Sequence, residues 1–224
     1  MPRLEGQRVL EFGCNVGASS IVLASLGAEV VGVDINANLA ALARLHASAY
    51  GLGHKVDVLH LDDSAQMPLP ERDFNLIVCN SVLEYVAPTA LTAIQKELLR
   101  VLAPGGLILV LATSNRLWPR EVHSGKLLYN YLPRSTDGLF SGGRRQRGLS
   151  PFTVRGGFAE CALVDNQDGC SAYLSARRRM GTKPWILSAI RGVAPVLRPF
   201  GVTVSMLTPS FAMALRRKAA LRSG

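Results

Sequence analysis

The sequence has no run of about 18 uninterrupted apolar residues, which argues against a transmembrane helix. Its opening residues, MPRLEGQRVL, lack the long apolar core of a secretory signal, so a cytoplasmic location is expected. The four cysteines, Cys14, Cys79, Cys161 and Cys170, show no close paired spacing. They read as free thiols in a reducing compartment rather than a disulfide framework or a zinc site. There is no internal repeat and no low-complexity tract. Charged residues are scarce at 18%, and 48% of the 224 residues are hydrophobic, a globular balance that excludes a disordered chain. A single domain is expected over 1–224, with a first half to about residue 114, an insertion over 115–150 and a substrate-side portion over 151–224.

Acidic residues are the other shortage: 16 Asp and Glu against 25 Lys and Arg, a net charge of +9. Residues 1–90 are balanced to acidic. The basic excess follows Leu99, at Arg144, Arg145 and Arg147, at Arg177–Arg179, and at Arg216, Arg217 and Lys218. Such a surface attracts nucleic acid, anionic lipid or an acidic substrate, or simply solvates the protein.

What is present is a βαβ rhythm. Arg8–Phe12 is a short apolar run, a buried strand ending at Gly13. Ala18–Leu26 reads as a helix stopped by Gly27, and Glu29–Asp34 as a second strand. Asn38–Tyr50 carries Leu39, Leu42 and Leu45 on one helical face. Val56–Leu61 and Phe74–Cys79 are strands. After Pro88, residues Leu91, Ile94, Leu98, Val101 and Leu102 keep helical spacing until Pro104-Gly105-Gly106, and Leu107–Ala112 is a fifth strand. Continuous apolar strands between helices predict a doubly wound, mostly parallel sheet, whose ligands bind at the carboxyl ends of its strands. Beyond it, Asn115–Ser150 reads as a lid or insertion. Phe152–Glu160 is a candidate helix, Ala162–Asn166 a candidate strand, and Phe211–Leu215 the last strand before a basic tail, Arg216–Lys218. Lys183–Phe200 is apolar to amphipathic and is expected to break at Pro195 and Pro199.

The turn Glu11-Phe12-Gly13-Cys14-Asn15-Val16-Gly17 lies between strand and helix, and Asp34 ends the next strand. Glycines admit a ligand to the backbone, the helix offers free N–H groups, and the aspartate can accept two ribose hydroxyl protons. A dinucleotide fingerprint needs glycine at the first, third and sixth turn positions. Here they are Gly13, Asn15 and Ala18, so a ligand without pyrophosphate fits better.

These residues resemble the class I S-adenosylmethionine-dependent methyltransferases, in particular the small-molecule group that includes the ubiquinone-biosynthesis O-methyltransferases. The resemblance covers about residues 8–113. VLEFGCNVG is similar to that family's first motif, with Glu11, Gly13 and Gly17 in place, Asn15 where glycine is frequent, and Cys14 between them. VVGVDIN is similar to the second, which implies Asp34 on the ribose and Ile35 against the adenine. LDDSAQMPLP resembles the acidic loop; aligned on Pro68, it implies Asp63 beside the adenine amino group, with Asp62 and Ser64 as neighbouring cofactor-binding residues. DFNLIVCNSVLEYV resembles the fourth motif and implies Asn80 and Ser81 beside the methionine part. LLRVLAPGGLILV resembles the helix, glycine turn and strand that follow. The implied fold is a seven-stranded Rossmann-like methyltransferase sheet, and the implied cofactor is S-adenosyl-L-methionine.

Methyl transfer is an in-line displacement that needs positioning, and a base when the acceptor is a hydroxyl. Leu117–Pro133 should lie over the site. It holds Glu121, His123, Tyr129 and Tyr131, of which His123 is the candidate general base. His46, His54 and His60 are poorer candidates by position. The metal-associated Glu-x-x-Glu-His pattern of the ubiquinone-type relatives aligns here with Ser81, Glu84 and Tyr85, so no catalytic metal is expected. The Asn/Asp-Pro-Pro-aromatic motif of amino-group nucleic-acid methyltransferases is replaced by Asn80-Ser81-Val82-Leu83, and no Pro-Cys pair occurs. A small-molecule, lipid or sugar acceptor follows, with a hydroxyl as the expected target. An RNA acceptor, suggested by Gly142–Arg147, and a non-catalytic cofactor-binding scaffold stay open. Lys183–Met206 combines Trp185, Ile186, Leu187, Ile190, Val196, Leu197 and Phe200 with Lys183, Arg191 and Arg198. That stretch reads either as a cap lining the substrate pocket or as a peripheral membrane contact. Nothing in the sequence sets an oligomeric state.

Overall fold

The computed structural model describes residues 4–133, 148–164 and 170–218. Seven strands form one sheet in the order β3-β2-β1-β4-β5-β7-β6. They are β1 (Arg8–Phe12), β2 (Glu29–Asp34), β3 (Val56–His60), β4 (Phe74–Asn80), β5 (Leu102–Ser114), β6 (Cys161–Leu163) and β7 (Ser210–Arg217). The first five run parallel, while β7 lies antiparallel to both β5 and β6. Strand order reverses between β1 and β4, which opens a crevice at their carboxyl ends.

Two different helix layers cover the two faces. On one, α1 (Ala18–Ser25) and α2 (Ala37–Ala49) present small residues. Leu39, Leu42 and Leu45 share one face of α2, but it is not the face that enters the core. The buried residues of α2 are Ala40, Ala43 and Ala47, whereas Leu42 and Leu45 are exposed. The reason is proximity: a Cβ on Gly17 would stand 3.0 Å from the Ala43 Cβ, so only a small-residue face lets α2 lie on the glycine turn. Asn36 caps α2, its side chain accepting from the Asn38 and Leu39 amides. On the other face, α3 (Pro88–Val101) buries Leu91, Ile94, Leu98 and Val101 against Phe74, Phe158 and Phe211. A short α4 (Pro151–Gly157), capped by Ser150, completes that layer.

Several sequence boundaries shift. Helix α3 ends at Val101, not at Pro104-Gly105-Gly106, because Leu102 already pairs with Phe74 and a register shift absorbs the glycines. The candidate helix 152–160 is shorter, and the candidate strand 162–166 is Cys161–Leu163; residues 165–169 lie outside the described residues. Pro195 does not break the C-terminal helix: α6 (Pro184–Leu197) runs through it, since only Val196 and Leu197 follow, so the missing amide costs one hydrogen bond and leaves no later turn to displace. Pro199 sits in the 3₁₀ turn Arg198–Phe200 that follows. Helix α5 (Ser171–Arg179) was not anticipated. Arg216 and Arg217 are not tail residues but part of β7. Arg217 donates to the Leu99 carbonyl at 2.8 Å and to that of Leu102, satisfying the end of α3.

After β5 the chain turns through 115–133 with the isolated bridges Asn115 to Leu149 and Arg120 to Leu127. Residues 134–147 of the expected lid, including Arg144, Arg145 and Arg147, lie outside the described residues. No helix among the described residues is long and apolar enough to cross a membrane.

Candidate active site

A cleft of about 800 Å³ opens at the carboxyl ends of β1, β2 and β4. Its first wall is the glycine turn. The Gly13 and Cys14 amides both donate to the Val33 carbonyl, at 2.8 and 3.0 Å, folding the turn back over β2. Gly13 has φ +74°, and a Cβ there would stand 2.3 Å from Val82 Cγ2 across the cleft. Glycine is therefore required twice over, by conformation and by space. Gly17 (φ +77°) begins α1 without a side-chain cap, and the next two residues, Ala18 and Ser19, line the cleft. Their amides belong to the unpaired first turn of a helix and suit a carboxylate.

Asp34 organises the second wall. Its Oδ2 accepts from the Asn15 amide at 2.8 Å and its Oδ1 from the Asn36 amide at 2.9 Å. Each carboxylate oxygen keeps a lone pair for a ligand hydroxyl. Asn15, with φ +51°, thus supplies the amide that a glycine supplies elsewhere, at the cost of a left-handed backbone that asparagine tolerates. Ile35 is 67% exposed while lining the cleft, an apolar surface offered to a flat ring.

Glu11 lines the cleft floor but is buried, accepting a hydrogen bond from Ser20 Oγ. Burial raises its pKa above the ordinary value, and the hydrogen bonds from Ser20 and Ser19 oppose that rise. Cys14 is buried against Gly32, and burial pushes its thiol up to about 12, so it is no nucleophile at neutral pH. Of the acidic loop, Asp63 and Ser64 line the cleft, with Asp63 Oδ1 accepting from the Ala65 amide at 2.8 Å. Asp62 is not among the lining residues; it projects into solvent, 4.0 Å from His60. Asn80 and Ser81 line the end of β4.

The sequence reading missed two supports. Glu97 on α3 accepts from the Met67 amide at 2.7 Å, and Arg100 donates to Glu97 and to the Met67 and Leu69 carbonyls. This pair pins the acidic loop. An i,i+3 charge pair was legible; its backbone partners were not. Glu84, in the 3₁₀ turn Leu83–Tyr85, is buried, accepting from Ser81 Oγ at 2.9 Å and facing the Ser114 amide at 3.5 Å. Its Oε2 and Ser114 Oγ have no hydrogen-bond partner among the described residues. Among the described residues, no three His, Cys, Asp or Glu side chains cluster in a metal-binding arrangement.

His123 is exposed and does not line the cleft itself, but its ring centroid lies 5.9 Å from that of Tyr85, which does. Glu121, in the same loop, is buried. Burial acts to raise its pKa, but the His123 and Ser124 amides donate to it and bring the net value below the ordinary one. Asn115 and Asn130 anchor the segment: Asn115 Nδ2 donates to the Met206 and Thr208 carbonyls, and Asn130 Nδ2 to that of Trp118. Tyr131 Oη donates to the Leu117 carbonyl at 2.7 Å. His46 bonds the Val16 carbonyl and His60 the Ile35 carbonyl, both structural placements.

Residues 9–106 match the family described as a methyltransferase domain. The ubiquinone biosynthesis O-methyltransferase of Psychrobacter arcticus is 34% identical over 113 residues, 50% of this chain and 43% of that protein. The enzyme of the same description from Xanthomonas oryzae is 36% identical over 138 residues, 59% of this chain and 55% of its own. The chain spans about half the length of the curated relatives it matches. A crystal structure of an S-adenosylmethionine-dependent methyltransferase from Mesorhizobium loti shares the fold across 97% of this chain and 94% of its own, with a TM-score of 0.59 at 19% identity. The sheet order is that of the class I S-adenosylmethionine-dependent methyltransferase fold, shared with this neighbour, and residues 9–106, the glycine turn among them, match a methyltransferase domain. S-adenosylmethionine is the cofactor of that class, and the residues fit it: a doubly oriented Asp34, an apolar Ile35 and a free helix start stand around one cleft.

Proposed function

We propose that the protein transfers the methyl of S-adenosylmethionine to a hydroxyl oxygen of a small-molecule, lipid or sugar acceptor. The observation that carries this reading is the cleft at the strand-order reversal, with the Asp34 carboxylate held by two amides and the α1 N-terminus facing the same space. The names of the matched relatives support oxygen as the target.

Bound there, S-adenosylmethionine supplies an electrophilic sulfonium methyl. The chain's part is to hold and orient. Asp34 takes the ribose hydroxyls, Ile35 flanks the adenine, and Asp63 with Ser64 faces its amino group. The Ala18 and Ser19 amides take the carboxylate, and Asn80 and Ser81 flank the methionine chain. Tyr85, Val86 and Ala90 offer an apolar wall to the reacting end. His123 is the base that takes the acceptor hydroxyl proton as the oxygen attacks, and its ring contact with Tyr85 supports that role. The reading needs no metal. The segment 115–133 is the proposed lid of the acceptor side, in one domain with the cofactor half.

The stretch that motivated an RNA acceptor, Gly142–Arg147, lies outside the described residues. The test is incubation of the protein with methyl-labelled S-adenosylmethionine and cell extract, followed by fractionation. Label in an organic-soluble or small-molecule product, stable to base as an ether is, is expected. Label in RNA, or tight cofactor binding with no transfer to any fraction, overturns the reading.

A further inference from the structure

Glu84 is a buried carboxyl that the fold leaves half used. It is 6% exposed, its Oε1 accepts from Ser81 Oγ at 2.9 Å, and its Oε2 has no hydrogen-bond partner among the described residues. No ion pair among the described residues engages it. Burying a carboxyl without a cation or a full set of donors costs stability, so packing alone does not account for an acid here. Ser81, which it bonds, is also strained: its φ is +48°, a region a serine enters only when its surroundings hold it there. The Ser81 amide, donating to the Leu111 carbonyl at 2.9 Å, and the Glu84 carboxyl supply that hold.

The pairing fixes what Ser81 can offer. Ser81 lines the cleft and Glu84 does not. A hydroxyl has one proton and two lone pairs. With its proton given to Glu84, Ser81 Oγ can only accept from a ligand, and the carboxyl bonded to it strengthens that acceptor. Such a group suits a cationic donor and disfavours an anion. The methionine part of the cofactor carries one of each, an α-ammonium and an α-carboxylate. The carboxylate has its own place at the free first turn of α1, at Ala18 and Ser19. Glu11 belongs to that side of the cleft too, its carboxyl bonded to Ser20 of the same helix. A metal ion would need more ligands than Glu84 provides, and among the described residues no three His, Cys, Asp or Glu side chains gather to hold one.

We infer that Glu84 is a positioning residue for the cofactor: it turns the Ser81 hydroxyl into an acceptor for the α-ammonium. The methionine part is then held by both of its charges, the carboxylate at the start of α1 and the ammonium just past the end of β4. The assignment rests on the S-adenosylmethionine reading of the cleft and goes beyond it by naming the residue that acts on the amino group.

The experiment is calorimetric titration of the full chain with S-adenosylhomocysteine, which carries both charges of the amino acid, and with methylthioadenosine, which carries neither. Glu84→Gln and Ser81→Ala should each weaken S-adenosylhomocysteine binding about tenfold or more, the value of a hydrogen bond to a charged group, and leave methylthioadenosine within about twofold. The double variant should bind S-adenosylhomocysteine no more weakly than the weaker single variant, because one residue acts through the other. Ser81→Ala, at a half-buried position, reads the same selectivity should Glu84→Gln not fold. Equal loss for both ligands, as a merely structural role would give, overturns the inference, and so do losses that add. Unchanged S-adenosylhomocysteine binding by Glu84→Gln also overturns it, and tighter binding does so by placing the carboxylate at Ser81. A wild-type chain that binds neither ligand removes the cofactor reading and the inference together. A chain that binds both without the selective loss removes the inference alone.

Discussion

Substituting alanine for Gly13 tests the construction of the cleft most directly. Two costs are added. A side chain in the left-handed region costs about 1–2 kcal/mol. The new Cβ would also lie 2.3 Å from Val82 Cγ2 and 2.9 Å from Val82 Cβ. Rotating the valine relieves the first contact but not the second, because Cβ moves only with the backbone. Val82 is held between Ser81, whose amide bonds the Leu111 carbonyl at 2.9 Å, and the fully buried Leu83. Overpacking of this kind adds about 1–3 kcal/mol. Gly13→Ala should therefore lose about 2–5 kcal/mol, in terms of those two effects together. Gly105 is the control: its φ is +73°, yet a Cβ there meets nothing within 4 Å. Gly105→Ala carries the strain alone, and any entropy gain in the unfolded chain cancels between the two variants. Urea unfolding of both, with S-adenosylmethionine titrated calorimetrically into each, separates the effects. Gly13→Ala should be the less stable by about 1–3 kcal/mol and should bind the cofactor at least tenfold more weakly. Equal stabilities within error, with unchanged cofactor affinity, would refute the close approach of the turn to Val82.

Asp34→Ala leaves the Asn15 and Asn36 amides without their acceptor and removes the ribose partner. Cofactor affinity should fall about 10- to 100-fold, the value of a charged hydrogen bond or two; a calorimetric change under threefold would contradict the assignment. His123→Ala should lower kcat about a hundredfold or more while cofactor affinity holds, and near-full turnover would remove His123 as the base. Hydrogen bonds from Arg100 hold the Glu97 carboxyl below its ordinary pKa against a smaller opposing effect of burial. Its folded value lies below its unfolded one, so its stabilisation is complete above the ordinary carboxylate range, about 4.3, and is lost as pH falls through the folded value. Glu97→Gln should flatten the acid limb of a stability-against-pH profile; an unchanged limb would show that the clamp contributes nothing there.

The strands were legible because each is a short apolar run closed by a turn signal, and β1, β2 and β4 begin where the sequence puts them. The cofactor turn was legible because a left-handed backbone favours glycine and Asp34 ends the neighbouring strand. Which face of α2 enters the core was not legible, since hydrophobic periodicity rewards leucine and is blind to the closeness of Gly17, which demands alanine. Pro195 was misread because a proline's effect depends on how many turns of helix follow it.

Local chemistry therefore determined, from the sequence alone, that a parallel sheet with a nucleotide-type turn would form and which residues would edge it. Contacts between residues distant in the chain were decided only by the tertiary structure. Glu97 and Arg100 reach about thirty positions back to the Met67 loop, Asn115 reaches ninety forward to Met206, and Arg217 returns to cap α3. Such pairings depend on which surfaces a folded sheet brings together, and no periodicity along the chain encodes them.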